Sequence, residues 1–141
     1  MSYLRLFFIL FSFIFSCAHY SAIHPKGESL EQAFYKYWNY IKEGDFKSAF
    51  YYENISLTNK MSLEEYVQKS RSHLPIKEFS IISIGKNGPY GSIPIKMRLV
   101  TPWPKLPFPT PKGDLIREFE DYWIKRKGNW YHLRPGVGRL W

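Results

Sequence analysis

The spacing of apolar side chains changes its period close to Pro75 in this chain of 141 residues. Before that proline, apolar residues recur at intervals of three and four positions, which predicts amphipathic helices. After it, apolar and polar residues alternate, as they do in strands with one buried face. Helices followed by strands are the order of an α+β fold, and the length suits a single domain.

Three helices are predicted before Pro75. The first begins after Ser29, which can form a capping box with Gln32, and ends at Gly44. The second follows an Asp45 cap and runs from residue 46 to about 53. The third begins after Ser62 and ends at Pro75. His73 lies in its last turn in a structural role, and the helix dipole favours its protonated form there. The first helix has a wide apolar face made of Leu30, Ala33, Phe34, Tyr37, Trp38 and Ile41.

Four strands are predicted after Pro75, over residues 76–84, 93–100, 115–125 and 130–133. Gly128 suits the short turn that joins the last two strands into a hairpin. In the third strand, alternation places Asp121 on one face with Phe119 and Trp123. The neighbouring positions, on the other face, are Glu118, Glu120, Tyr122 and Ile124.

The connection over residues 101–113 contains five prolines, which favour an extended backbone. Trp103, Leu106 and Phe108 lie between these prolines. The segment could be a peptide ligand for a groove on a partner. We favour the alternative, a stiff loop whose rings fold back onto the domain.

The first residues of the chain have the pattern of an export signal. Residues 6–15 are apolar apart from Ser12, too short a run to span a bilayer comfortably. Ile14-Phe15-Ser16-Cys17 then resembles the lipobox of bacterial lipoproteins, and Cys17 is the only cysteine. The resemblance implies acylation of Cys17 and anchoring to a membrane, and Ala18 favours the outer membrane over the inner one. The alternative is an ordinary signal peptide cut near Ala18 or Ala22, which would release a secreted domain.

The predicted organisation is a signal peptide over residues 1–16, a flexible tether over 17–28 and one α+β domain over 29–141. The order of elements resembles the NTF2-like superfamily, an α+β roll with helices packed on a curved antiparallel sheet. The motifs that carry the resemblance are Ala33-Phe34-Tyr35, Lys42-Glu43-Gly44-Asp45-Phe46 and the hairpin from Asp121 to His132.

The resemblance implies a conical cavity between helices and sheet, lined here by Tyr37, Trp38, Tyr66 and Trp123. Enzymes of that superfamily place acid-base groups in the cavity, and the candidates in this chain are Asp121, His132, Tyr37 and Tyr66. Asp121 could be a buried base, but we favour an exposed position paired with Lys125 or Arg117.

We therefore expect an exported lipoprotein that binds a small apolar ligand or an envelope partner, without catalysis. A cavity enzyme using Asp121 or His132 is the alternative. We expect no cofactor and no metal, since His19 and His24 have no ligand partners near them in sequence. The net charge of +8 suggests affinity for anionic surfaces, but we favour the alternative of a solvated basic surface that keeps the protein soluble. Nucleic acid is not expected as a partner, because the chain is exported and contains no binding motif for it.

Overall fold

The computed structural model describes residues 24–25, 27–73 and 75–134, and these confirm the α+β class. Three α-helices come first and four strands follow. The helices are α1 (Leu30–Glu43), α2 (Phe46–Phe50) and α3 (Leu63–Ser70). The strands are β1 (Glu78–Ile84), β2 (Ile93–Thr101), β3 (Leu115–Arg126) and β4 (Asn129–Leu133).

Local sequence signals set the start of each helix. Ser29 and Gln32 form the capping box of α1, and Gly44 ends that helix in the left-handed conformation, with φ of 75°. Asp45 and Ser62 cap α2 and α3. Both later helices end earlier than predicted, at Phe50 and Ser70. The chain leaves the helical path after α2 because residues 52–53 pair with strand β4 instead.

The four strands form an antiparallel sheet in the order β1-β2-β3-β4. Strand β3 pairs with β2 along residues 115–123 and with β4 along residues 122–126. Glu53 forms a parallel bridge with His132, and the backbone N–H of His132 donates to the Tyr52 carbonyl at 2.6 Å. The segment that follows α2 therefore lies along the outer edge of β4 and fixes the position of Glu53.

The core lies between α1 and the inner face of the sheet and is rich in aromatic rings. Phe34 of α1 packs against Phe79 and Trp123, with ring centroids 6.1 and 6.3 Å apart. Trp38 packs against Phe119 at 6.3 Å. The buried core cluster of the described residues extends from Ala33 to Trp123.

The proline-rich connection between β2 and β3 only partly follows the prediction. Trp103 is half-buried, as expected for a ring that folds back onto the domain. Leu106 and Phe108 are instead exposed, by 38% and 61%. The interpretation we favoured therefore holds for Trp103 and is wrong for the two apolar side chains nearer the tip.

The last residues of the predicted tether contact the domain. The His24 Nε2 atom lies 2.8 Å from the Tyr51 carbonyl oxygen, and the His24 ring packs against Tyr131. Glu28 is buried and accepts a hydrogen bond from Tyr52. The predicted signal peptide, Cys17 and the rest of the tether up to residue 23 lie outside the described residues. Within the described part, none of the helices has the length and apolar character needed to span a membrane.

Candidate functional site

His132 lies buried between two carboxylates, one on each side of its ring. Its Nδ1 atom is 3.1 Å from Glu53 Oε2, and its Nε2 atom is 2.6 Å from Asp121 Oδ1. All three side chains are buried. Strand pairing creates this arrangement, because His132 of β4 neighbours both the Glu53 segment and strand β3.

Glu53 accepts hydrogen bonds from three further side chains besides His132. Its Oε1 atom accepts from Tyr37 at 2.6 Å, from Tyr66 at 3.0 Å and from Arg134 at 2.6 Å. The donors come from α1, from α3 and from the residue that follows β4. Glu53 thus joins three elements that are far apart in sequence, and its charge is well compensated.

Asp121 has a different set of donors on the other side of His132. Its Oδ2 atom accepts from the indole N–H of Trp38 at 3.0 Å and from that of Trp123 at 2.8 Å. The expectation that Asp121 would be exposed and paired with Lys125 or Arg117 is wrong. Its side chain is 4% exposed, because alternation along β3 turns it toward α1 together with Phe119 and Trp123. We call these eight side chains the His132 network: Glu53, Asp121, His132, Arg134, Tyr37, Tyr66, Trp38 and Trp123.

The network favours a protonated, cationic His132. Burial lowers the pKa of His132, but Asp121 and Glu53 outweigh burial and raise the pKa to about 9. Burial likewise raises the pKa of Glu53, yet His132 and Arg134 lower it to about 2. At neutral pH the negative charges of Glu53 and Asp121 are therefore balanced by the positive charges of His132 and Arg134. A doubly protonated imidazole donates from both nitrogens, as this geometry requires.

The hydroxyl groups in the network stay protonated. Burial, followed by the charge of Glu53, raises the pKa of Tyr37 well above its usual value. The same two causes raise the pKa of Tyr66. Neither tyrosine is therefore poised to act as a base at neutral pH.

A cleft of about 240 Å³ opens beside the network. It lies at the end of β4, between α1 and the part of β3 that extends beyond β4. Aromatic rings supply much of its lining, and charged atoms come from Glu120, Asp121, His132 and Arg134. The lining rings are Tyr37, Trp38, Phe119 and Tyr122. The cleft thus combines apolar walls with a few polar groups, the usual character of a small-molecule site.

His73 lines the same cleft but lies beyond the end of α3. Its backbone N–H donates to the Ser70 carbonyl. The sequence predicted a histidine in the last helical turn whose charged form the helix dipole favours. Partial desolvation, together with Arg134 and Arg117, instead lowers the pKa of His73. The prediction of a favoured imidazolium there is wrong because His73 is partly desolvated, has positively charged neighbours and lies beyond the end of α3.

The four residues predicted to line a cavity fall into different places. Tyr37 and Trp38 line the cleft. Trp123 is fully buried beneath it and contributes its indole N–H to Asp121. Tyr66 lies on the far side of Arg134, where it lines a much smaller pocket. Of the four acid-base candidates, Asp121 and His132 both line the cleft and are hydrogen-bonded to each other.

Sequence reasoning missed Glu53 and Arg134. Glu53 was placed at the end of the second helix, where an acidic residue attracts no notice. The available signal was its position directly after Phe50, Tyr51 and Tyr52, since a carboxylate beside three rings is poorly placed for solvent. Arg134 follows the last predicted strand and has no local signal of its own.

The described residues contain no group of His, Cys, Asp and Glu side chains suited to holding a metal ion. Comparisons with family models, with curated proteins and with solved structures found nothing that matches this chain. The chemistry of the site therefore rests on its own geometry.

Proposed function

We propose that this chain is an exported bacterial lipoprotein with an NTF2-like domain that binds a small ligand in the cleft and does not catalyse a reaction. The observation that carries the binding role is the cleft itself, with aromatic walls beside a charge-balanced network. The geometry argues for binding over catalysis because a general base needs a free lone pair. Both nitrogens of His132 face carboxylates, and its pKa of about 9 keeps it protonated near neutrality.

The aromatic lining indicates the ligand class. Four rings surround a space of about 240 Å³, which suits a compound built on a single ring. The carboxylates of Asp121 and Glu120 and the guanidinium of Arg134 line the cleft, so it presents both acceptor and donor groups to such a compound. We therefore expect a mainly apolar ligand with one polar group.

The cleft can be tested with phenol, benzoate and benzylamine, which share a ring and differ in charge. The Trp38 indole N–H donates to Asp121 at the cleft and should shift in the NMR spectrum when a ligand enters. The Trp130 indole, on the hairpin beside Lys125, is the internal control. A shift of the Trp38 signal with a constant Trp130 signal supports the binding role. Absence of any Trp38 response to all three compounds contradicts it.

The anchor rests on Cys17, the single cysteine, which follows an apolar leader. Two or more acyl chains hold a protein on a bilayer far more firmly than one. The substitution Cys17→Ala should abolish labelling by radioactive palmitate in a bacterial host and release the domain from membranes. Cys17→Ser is a closer match in size and should behave alike. Persistent labelling, or labelling absent from the parent chain, contradicts the lipoprotein proposal and leaves a secreted domain.

A catalytic role remains the second candidate because of one specific contact. Asp121 and His132 are joined at 2.6 Å and both border the cleft. Such a pair could move a proton if a ligand displaced Glu53 from Nδ1. The neutral form of His132 would then have to appear when ligand binds, and a ¹⁵N NMR spectrum of the imidazole would detect that change directly.

A further inference from the structure

We propose that the tip of the proline-rich loop, Lys105 to Lys112, is a membrane-contact site that binds an anionic lipid surface. The loop joins β2 to β3, and Thr101 and Trp103 fix its base: Thr101 is buried at the end of β2, and Trp103 is half-buried. From Lys105 to Asp114 the chain is exposed. The loop is therefore held at its base and presents its tip to the surroundings.

The exposed side chains of the tip combine apolar groups with positive charge. Phe108 is 61% exposed and Leu106 is 38% exposed. Lys105 and Lys112 flank them, and residues 101–113 include no Asp or Glu. The nearest acidic residue in sequence, Asp114, is paired with Lys77. An apolar tip between lysines matches the boundary between anionic headgroups and acyl chains.

The prolines suit the same environment. Five of the residues between 101 and 113 are proline, and proline has no backbone N–H. An irregular loop normally resists entry into a membrane interface because its N–H groups lose water without gaining a partner. This loop has fewer such donors to desolvate, and its fixed φ angles reduce the ordering that binding requires.

The position of the loop is compatible with a chain anchored near residue 17. His24 packs against Tyr131, which pairs with Ile124, nine residues along β3 from Leu115. That separation is about 30 Å at about 3.3 Å per residue. Both features would reach the same bilayer if the domain lies with β3 along the membrane surface. The inference does not depend on acylation of Cys17, because the loop has its own apolar and charged groups.

Vesicle flotation tests this proposal with the chain from residue 18 onward, which lacks the leader and Cys17 and keeps the whole core cluster. Its fold is checked by its amide NMR spectrum. The probes are vesicles of phosphatidylglycerol and phosphatidylcholine in equal parts, and vesicles of phosphatidylcholine alone. Binding should appear with the anionic vesicles and weaken at high salt. Absence of binding to the anionic vesicles overturns the proposal and favours a peptide-ligand role for the loop.

Two pairs of variants locate the contact. The double substitution Leu106→Ser with Phe108→Ser should weaken vesicle affinity by about tenfold or more, because the apolar tip no longer inserts. Tyr90→Ser removes an exposed ring, 79% exposed, from a different turn and should leave affinity unchanged. Lys105→Gln with Lys112→Gln should also cost about tenfold. Arg126→Gln with Lys127→Gln removes the same charge from the β3–β4 turn and should cost much less. Equal losses from both charge variants would show a diffuse basic surface and overturn the assignment to the loop.

Discussion

The two carboxylates that flank His132 differ in what surrounds them. Glu53 is 1% exposed and receives donors from α1, α3, β4 and the residue after β4. Asp121 is also buried but lines the cleft, and its other donors are two indole N–H groups. Glu53 is thus the acceptor that joins the elements of the domain, whereas Asp121 brings charge to the cleft. His132 connects the two, so the binding site is built on the part of the core that stabilises the fold.

Replacement of Glu53 should have the largest effect. Glu53→Gln leaves Arg134 and His132 with one fewer carboxylate in a buried setting. Loss of one partner of a buried ion pair costs about 3–5 kcal/mol of the free energy of unfolding. Urea denaturation measures the loss. Glu118→Gln, which affects a half-exposed pair with Lys96, is the control and should change stability by less than about 0.5 kcal/mol. Equal effects of the two variants would contradict a structural role for Glu53.

Replacement of Asp121 should destabilise the domain less and alter the cleft more. Asp121→Asn keeps an oxygen for the two indoles but removes the charged partner of His132 Nε2. Because water in the cleft can partly solvate the freed imidazole, we expect a loss of about 1.5–3 kcal/mol. The same variant should weaken binding of benzylamine more than that of benzoate. A loss larger than that of Glu53→Gln would reverse the distinction between the two carboxylates.

The pH dependence of stability separates the contributions of the cation and the anion. The pKa of His132 rises from 6.5 to about 9 on folding, so its contribution is complete below pH 6.5 and is lost as the pH rises through 9. The pKa of Glu53 falls from 4.5 to about 2, so its contribution is complete above pH 4.5 and is lost as the pH falls through 2. The free energy of unfolding should be greatest between about pH 4.5 and pH 6.5. Outside that range it should change by at most about 1.4 kcal/mol per pH unit for each group. Denaturation midpoints that rise from pH 7 to 9 would contradict this.

Removal of one hydroxyl from the Glu53 side should have the smallest effect. Tyr66→Phe deletes one of four donors to Glu53 and keeps the ring that lies beneath Arg134. The remaining donors still compensate the carboxylate, so we expect a loss of about 1 kcal/mol. Thermal unfolding measures it. A loss as large as that of Glu53→Gln would mean that Tyr66, and not the ion pairs, dominates this side of the network.

The fold was more predictable from sequence than the site. Caps at Ser29, Asp45 and Ser62 and the alternation in β3 are local signals, and they located the helices and strands within a few residues. The partners of Asp121 depend on pairing across the sheet and on packing against α1. Alternation placed Asp121 on the same face as Trp123, but only the packing of α1 shows that this face is buried.

Glu53 shows why the rest of the site was not predictable. Its segment leaves the helical path to pair with β4, and that contact joins residues 79 positions apart. Neither the helical period before Pro75 nor the strand period after it contains information about such a pairing. A buried charge network is assembled by tertiary contacts, so Glu53 and Arg134 look like ordinary surface residues in the sequence.

The protonation state of His132 tests the account most directly. A ¹⁵N NMR titration of the imidazole reports both ring nitrogens separately. We predict two protonated nitrogens at pH 7, hydrogen-bonded to Glu53 and Asp121, with a titration midpoint near the pKa of about 9. A single neutral tautomer at pH 7 that titrates near 6.5 would contradict the network and would restore His132 as a candidate base.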